Sequence, residues 1–231
     1  MLVLLFLLAH ASTDTSPIVP FADAEASRPP APWQAITTRN VRPTQFDVVD
    51  QDGERVLMAY SANASSSLSH PLDLDPAGHR RLSWRWRVDE LPQSADLANR
   101  NRDDYAARVC VSFEPDPDSV GFGGRARRAI GNLFGDDTPP AALCYTWDNR
   151  HPVGHSAAHS GNDRIGLIVL QSGEQHSGQW VTEERDVVAD YFEHFGSEPR
   201  RIIGVVVAAA TAATGERALS YFADLRIQPG D

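Results

Sequence analysis

Two stretches of the chain carry the residue types that could hold a polar ligand. In Leu82-Ser83-Trp84-Arg85-Trp86-Arg87-Val88, Arg85 and Arg87 alternate with tryptophans, and Asp103-Asp104 stand shortly before Arg108 in Arg102-Asp103-Asp104-Tyr105-Ala106-Ala107-Arg108. A guanidinium offers forked N–H donors, and carboxylates accept from hydroxyls. Arg85, Arg87, Asp103, Asp104 and Arg108 are therefore the candidate binding set for a saccharide-like or other polar ligand. The same residues also read as a structural salt-bridge network on a sheet face. Neighbouring carboxylates on an extended chain point to opposite faces, so Asp103 and Asp104 make a poor acid/base pair as they stand.

Other clusters are weaker. Glu183, Glu184, Arg185, Asp186 and Asp190 fall together. Arg185 is one residue from Asp186 and five from Asp190, neither of which is a helix-face spacing. Arg185 and Asp190 are expected in a structural polar network, with Arg185 reaching Asp103 or Asp104 as one alternative and a solvated face as the other. His151, His155 and His159 follow Trp147-Asp148 at spacings of four, which suits a metal only on a helix, and Pro152, Gly154 and Gly161 oppose one. Metal binding there is left open, and no cofactor is expected. Ser65-Ser66-Ser67 and Ser156 lack a nucleophile elbow. Gly121-Phe122-Gly123-Gly124 before Arg125 resembles a phosphate loop but lacks its Lys-Ser/Thr, and reads as the hinge of a surface helix.

Short strands must position these groups. Leu82, Trp84, Trp86 and Val88 alternate with polar residues, as do Val109, Val111 and Phe113, and Leu143, Tyr145 and Trp147; period two marks half-buried strands. The aromatics on those faces could stack on sugar rings, but beside Leu and Val they read as core. Further strands are expected over Phe46–Val49, Arg55–Tyr60, Ile165–Leu170, Ile202–Ala209 and Leu219–Ile227, and helices over Arg125–Phe134 and Glu183–Phe195. The pattern predicts an all-β chain with two short helices, folded as a two-sheet β-sandwich of jelly-roll type. Cys110 and Cys144 fall mid-strand on two strands that could be neighbours, and one disulfide is expected in an oxidising compartment.

The ordered set Leu82–Val88, Arg102–Val109, Leu133-Phe134-Gly135, Leu143-Cys144-Tyr145-Thr146-Trp147, Glu184–Val187 and Asp190-Tyr191 resembles a bacterial family of secreted domains of unknown function, from about Trp33 to Ile227. That resemblance implies the domain and no activity. It also implies an Asp-x-Asp-Asn-Thr-Gly cluster after an apolar strand. Here Ala210, Ala212 and Ala213 replace the acids and the amide before Thr214-Gly215, which removes the side-chain oxygens a cation or hydroxylated ligand would use.

Composition bounds the rest. The apolar run at residues 1–11 ends in Ala9-His10-Ala11 and reads as a signal peptide, too short to span a bilayer. Residues 12–32, with Pro17, Pro20, Pro29, Pro30 and Pro32, read as a Pro/Ala-rich disordered arm, leaving residues 33–231 as a single domain in the periplasm or secreted. A net charge of −10 disfavours nucleic acid and anionic lipid, and no transmembrane helix is expected in the mature chain. Three function classes remain: a non-catalytic binding domain, which is preferred; a structural or protein-interaction domain; and a hydrolase or lyase of envelope polymers acting through Asp103, Asp104 and Arg108.

Overall fold

A computed structural model describes residues 16–115 and 140–230. Two sheets face each other. The larger has seven strands in the order β1 (Gln34–Thr37), β4 (Ser65–Leu74), β11 (Ile202–Ala210), β6 (Tyr105–Phe113), β7 (Ala141–Asp148), β9 (Asn162–Ser172) and β8 (Ser156–His159). The smaller has five: β10 (Val181–Asp186), β5 (Arg81–Glu90), β12 (Arg217–Gln228), β3 (Glu54–Ala62) and β2 (Gln45–Gln51). Among these, only β7 and β9 pair in parallel. The fold is a two-sheet β-sandwich of jelly-roll type.

The period-two runs supply the facing walls. Leu82, Trp84, Trp86 and Val88 are buried on β5, opposite Val109, Val111, Phe113, Leu143, Tyr145 and Trp147. Trp84 lies 5.3 Å from the Tyr145 ring, and Trp86 meets Trp147 edge-on at 5.7 Å. The tryptophans of the Trp-Arg-Trp-Arg run are therefore core, while the arginines between them face outward.

Three expectations change. The helix expected from Glu183 starts at Val187: residues 181–186 are β10, whose Glu183 pairs in register with Trp84, and α1 spans Val187–Phe195. Asp186 ends the strand and caps the helix, its Oδ1 accepting from the Val188 and Ala189 N–H groups at 3.1 and 3.0 Å. Second, the Pro-rich stretch is not a free arm from Ser16 onward. Ile18, Phe21 and Ala24 are buried in the main core, with a 3₁₀ turn at Phe21–Asp23. Three spaced apolar side chains suffice there because prolines reduce the entropy lost on ordering. Third, Ser65-Ser66-Ser67, read only as serines without a nucleophile elbow, open β4, an interior strand between β1 and β11. The leader, the helix expected over Arg125–Phe134 and the Gly121–Gly124 loop lie outside the described residues.

Candidate functional site

The five candidate ligand residues fall on opposite sides of the sandwich. Arg108, Asp103 and Asp104 belong to a closed network at the seven-stranded sheet. Arg108 is 5% exposed; its Nε donates to Thr146 Oγ1 at 3.1 Å, its Nη2 to Asp103 Oδ1 at 3.2 Å, and its guanidinium lies 3.6 Å from the Tyr105 ring centroid. The second Asp103 oxygen meets His159 Nε2 at 2.6 Å. His159 Nδ1 accepts the Gly161 N–H at 3.0 Å, so Nε2 carries the proton and faces Asp103. Burial opposes the Asp103 charge, yet the His159 hydrogen bond and the Arg108 charge together hold its carboxyl below the ordinary value. Asp104 accepts from the N–H groups of Ala213 and Thr214 and from Thr214 Oγ1 at 3.3, 2.7 and 2.8 Å. It thus fixes the loop in which alanines replace the family's expected acids. Asp103, Asp104 and Arg108 are thus covered and hydrogen-bonded within the protein, and present no open face to a ligand in this structure.

Arg85 and Arg87 point outward from the five-stranded sheet. Arg85 Nη2 reaches Glu54 Oε1 at 2.5 Å and its Nε reaches Asp224 Oδ2 at 2.6 Å, while the guanidinium lies 5.1 Å from the Trp180 ring centroid. Arg87 grips Asp89 with Nε and Nη2 at 2.6 and 2.9 Å, and lies 5.7 Å from the Tyr221 ring centroid. Both arginine side chains are 26% exposed. Trp180 and Tyr221 are 6.4 Å apart, over a small apolar floor of Val56 and Ala223. Local structure makes this face. A β-bulge on β12 puts Asp224 at φ 54, a conformation Asp tolerates, and sets its carboxylate against Arg85. Burial first, then Asp89, pushes the Tyr221 hydroxyl pKa up, so it stays a neutral donor.

Sequence reasoning missed Trp180, Tyr221, Glu54, Asp89 and Asp224 here. Period two on β5 marked Arg85 and Arg87 as outward and put Asp89 on the same face, but only the sheet order brings the residues of β3, β12 and the start of β10 beside them.

Arg185 and Asp190 do form a pair, with Arg185 Nε and Nη2 donating at 2.8 and 2.5 Å, and Tyr145 Oη adding a third bond to Asp190 at 2.8 Å. The strand-to-helix corner brings these residues together, so Arg185 does not reach Asp103 or Asp104. Two positions earlier on the same face of β10, Glu183 Oε1 accepts from Gln171 Nε2 at 2.7 Å and Trp86 Nε1 at 3.2 Å. Burial raises its pKa against those two bonds. The buried Trp84 Nε1 has no partner among the described residues.

The three histidines do not converge. His151 stacks on His155 at 4.8 Å and bonds Asp148 at 3.1 Å, whereas His159 belongs to Asp103. No group of three or more His, Cys, Asp or Glu among the described residues could hold a metal ion. Cys110 and Cys144 are register partners on β6 and β7 and are joined as a disulfide, with Cα atoms 4.0 Å apart.

A disulfide-linked jelly-roll sandwich with one closed polar network and one half-open Arg–aromatic sheet face is the class of domain that fold and geometry define. The chain belongs to the family described as Protein of unknown function (DUF3047), whose sequence profile matches residues 31–226. No match was found among curated proteins. Similar solved structures include the K1 cleaved adhesin domain of Lys-gingipain from Porphyromonas gingivalis W83, at 13% identity, TM-score 0.40, covering 92% of this chain and 97% of that one. The family 30 carbohydrate-binding module of a cellulosomal cellulase of Clostridium thermocellum is similar at 10% identity and TM-score 0.37, covering 85% and 87%. A family 12 xyloglucanase from Bacillus licheniformis is similar at 9% identity and TM-score 0.38, covering 90% and 91%. These are distant likenesses of shape, and none of those activities is transferred to this chain. No helix among the described residues is long and apolar enough to cross a membrane.

Proposed function

We propose that the protein is an exported, non-catalytic binding domain that takes a neutral saccharide-like ligand on the outer face of its five-stranded sheet. The observation that carries this reading is the half-buried Trp180 standing beside the outward Arg85 and Arg87, with the buried Tyr221 as the floor beneath them. An aromatic face covers the C–H side of a sugar ring, while guanidinium N–H groups and carboxylates serve its hydroxyls. Glu54, Asp89 and Asp224 already neutralise the two arginines, so an anion would have to displace a carboxylate. A polyol need not: Nη1 of each arginine takes no protein partner among the described residues, and the carboxylates keep spare lone pairs. The Cys110–Cys144 disulfide supports an oxidising compartment, the periplasm or outside. At the closed network, Asp103 and His159 converge as an acid/base pair would, but both carboxylate oxygens are committed and the side chain is 8% exposed.

Glycan-array binding tests the reading. The full chain is expected to retain neutral oligosaccharides, and Arg85→Ala or Trp180→Ala to bind them more weakly. Arg108→Ala, assayed where it remains folded, is expected to bind as before. Equal binding by all three variants would remove the platform, and no binding by the wild-type chain would remove the ligand class.

A further inference from the structure

Away from the ligand face, the N-terminal segment is tied down through a histidine whose two ring nitrogens play opposite roles. His70 on β4 is 3% exposed. Its Nδ1 lies 2.9 Å from the Pro71 carbonyl, an atom that only accepts, so Nδ1 carries the ring proton. Nε2 is therefore bare, and accepts the Val19 N–H at 3.1 Å. The Val19 carbonyl in turn accepts from Trp33 Nε1 at 2.8 Å. Trp33 packs on Phe21 at 4.7 Å and edge-on to His70 at 5.1 Å. At the other end, Ser16 Oγ accepts the Ile227 N–H at 3.1 Å.

We propose that residues 16–24 are an acid-released strap latched by His70. A second proton on this imidazole can go only to Nε2, where it faces the Val19 N–H. Two donors then meet, and the latch bond is lost. Among the described residues no carboxylate pairs with His70 to balance the new charge. β1 and β11, which flank β4, contain no titratable side chain. On the strap and just after it, Asp23 and Glu25 are exposed; on β4 itself, Asp73 is held by Arg201 at the surface.

Burial holds the His70 pKa below its ordinary 6.5, opposed by the Pro71 bond. The latched state therefore binds fewer protons than the released one. The latch is at full strength above about pH 6.5, weakens as pH falls below that, and stops weakening once the lowered native value is passed. Release would expose the core beneath Ile18 and Phe21 and remove one wall of the cleft the strap forms with Asp224, Leu225 and Arg226. Because Asp224 also holds Arg85, acid is then expected to weaken the platform, a consequence that rests on the binding reading above.

Amide hydrogen exchange on the full chain at about pH 7.5 and about pH 5, corrected for intrinsic chemical rates, tests the latch without any ligand. Protection of the Val19 N–H is expected to fall severalfold at the lower pH, the direction a lowered native pKa requires. Val205 and Val207 on β11 should keep theirs. His70→Gln offers an amide oxygen to Val19 and cannot titrate, so its Val19 protection is expected not to follow pH. Equal protection of wild-type Val19 at both pH values, or an unchanged pH response in His70→Gln, overturns the strap. Should that variant not fold, NMR titration of the wild-type His70 ring decides the matter, since an ordinary or raised pKa there overturns it too. Glycan binding plays no part in these readouts, so the strap and the platform fail separately.

Discussion

Arg108 and Arg85 each hold a carboxylate and lie against an aromatic ring, yet they belong to different kinds of surface. Around Arg108 the polar groups answer one another: its Nε and Nη2 go to Thr146 and Asp103, His159 takes the other Asp103 oxygen, and the Arg108 and Asp103 side chains are only 6% and 8% exposed. Around Arg85 the partners Glu54 and Asp224 are 45% and 43% exposed and Trp180 is half-buried, so a hydroxylated ligand can join without breaking what is there. Identical residue types thus make a structural bolt on one sheet and a binding face on the other, and coverage by neighbouring loops decides which. The sharpest way to break this contrast is Arg108→Ala. It leaves Asp103 buried with only His159, and a buried pair cut this way costs about 3–5 kcal/mol. Urea unfolding should give that loss; a loss under about 1 kcal/mol would mean the network is open to water after all.

The disulfide fastens the same closed side, with Cys110 7% and Cys144 4% exposed. Its ends are 34 residues apart, and closing such a loop stabilises by about 3–4 kcal/mol in the chain-entropy account. The Cys110→Ala/Cys144→Ala double variant is expected to lose about that much, and the oxidised wild-type chain to resist alkylation until reduced. Alkylation of both thiols in untreated, periplasmically expressed protein would discard the bond.

On the open side, energy and function should part company. Trp180→Ala is expected to weaken oligosaccharide binding about tenfold, which is about 1.4 kcal/mol, while moving the unfolding midpoint little. If stability falls by as much as in Arg108→Ala and binding does not change, Trp180 is a packing residue and the two faces are alike.

Most of the fold is legible in the amino-acid order and the site is not, for a reason visible in single residues. Period two puts Leu82, Trp84, Trp86 and Val88 inside and Arg85 and Arg87 outside because side-chain direction is a local property of a strand. Whether an outward arginine sees solvent is not local. It depends on sheet order, which sets β6 and Arg108 in one sheet and β5 in the other, so the five candidate residues are not neighbours. Glu183–Asp186 misleads for a related reason: its charges fit an exposed helix face, and only pairing with β5 makes it a strand. The segment after Ser16 hides its packing because three buried side chains are diluted among prolines.

The smallest expected effect separates two carboxylates by the sign of their pH response. Asp103 is held below its ordinary 3.8, so its contribution is present above that value and is lost as pH falls through the lower native one. Glu183 is pushed above its ordinary 4.5, chiefly by burial, and Gln171 and Trp86 only partly offset that. The native state then binds its proton more tightly than the unfolded chain does. Glu183 therefore costs no stability below about pH 4.5, and its cost grows above that until pH has risen through the higher native value. Replacing Glu183 by Gln keeps an oxygen for Trp86 Nε1 and removes the charge. The variant should match the wild-type chain near pH 4 and equal or slightly exceed its stability at pH 7, whereas Asp103→Asn should be costly at pH 7 and lose its cost in acid. Parallel pH curves for the two variants would show that the Arg108 and His159 contacts to Asp103 are not what distinguishes these two acids.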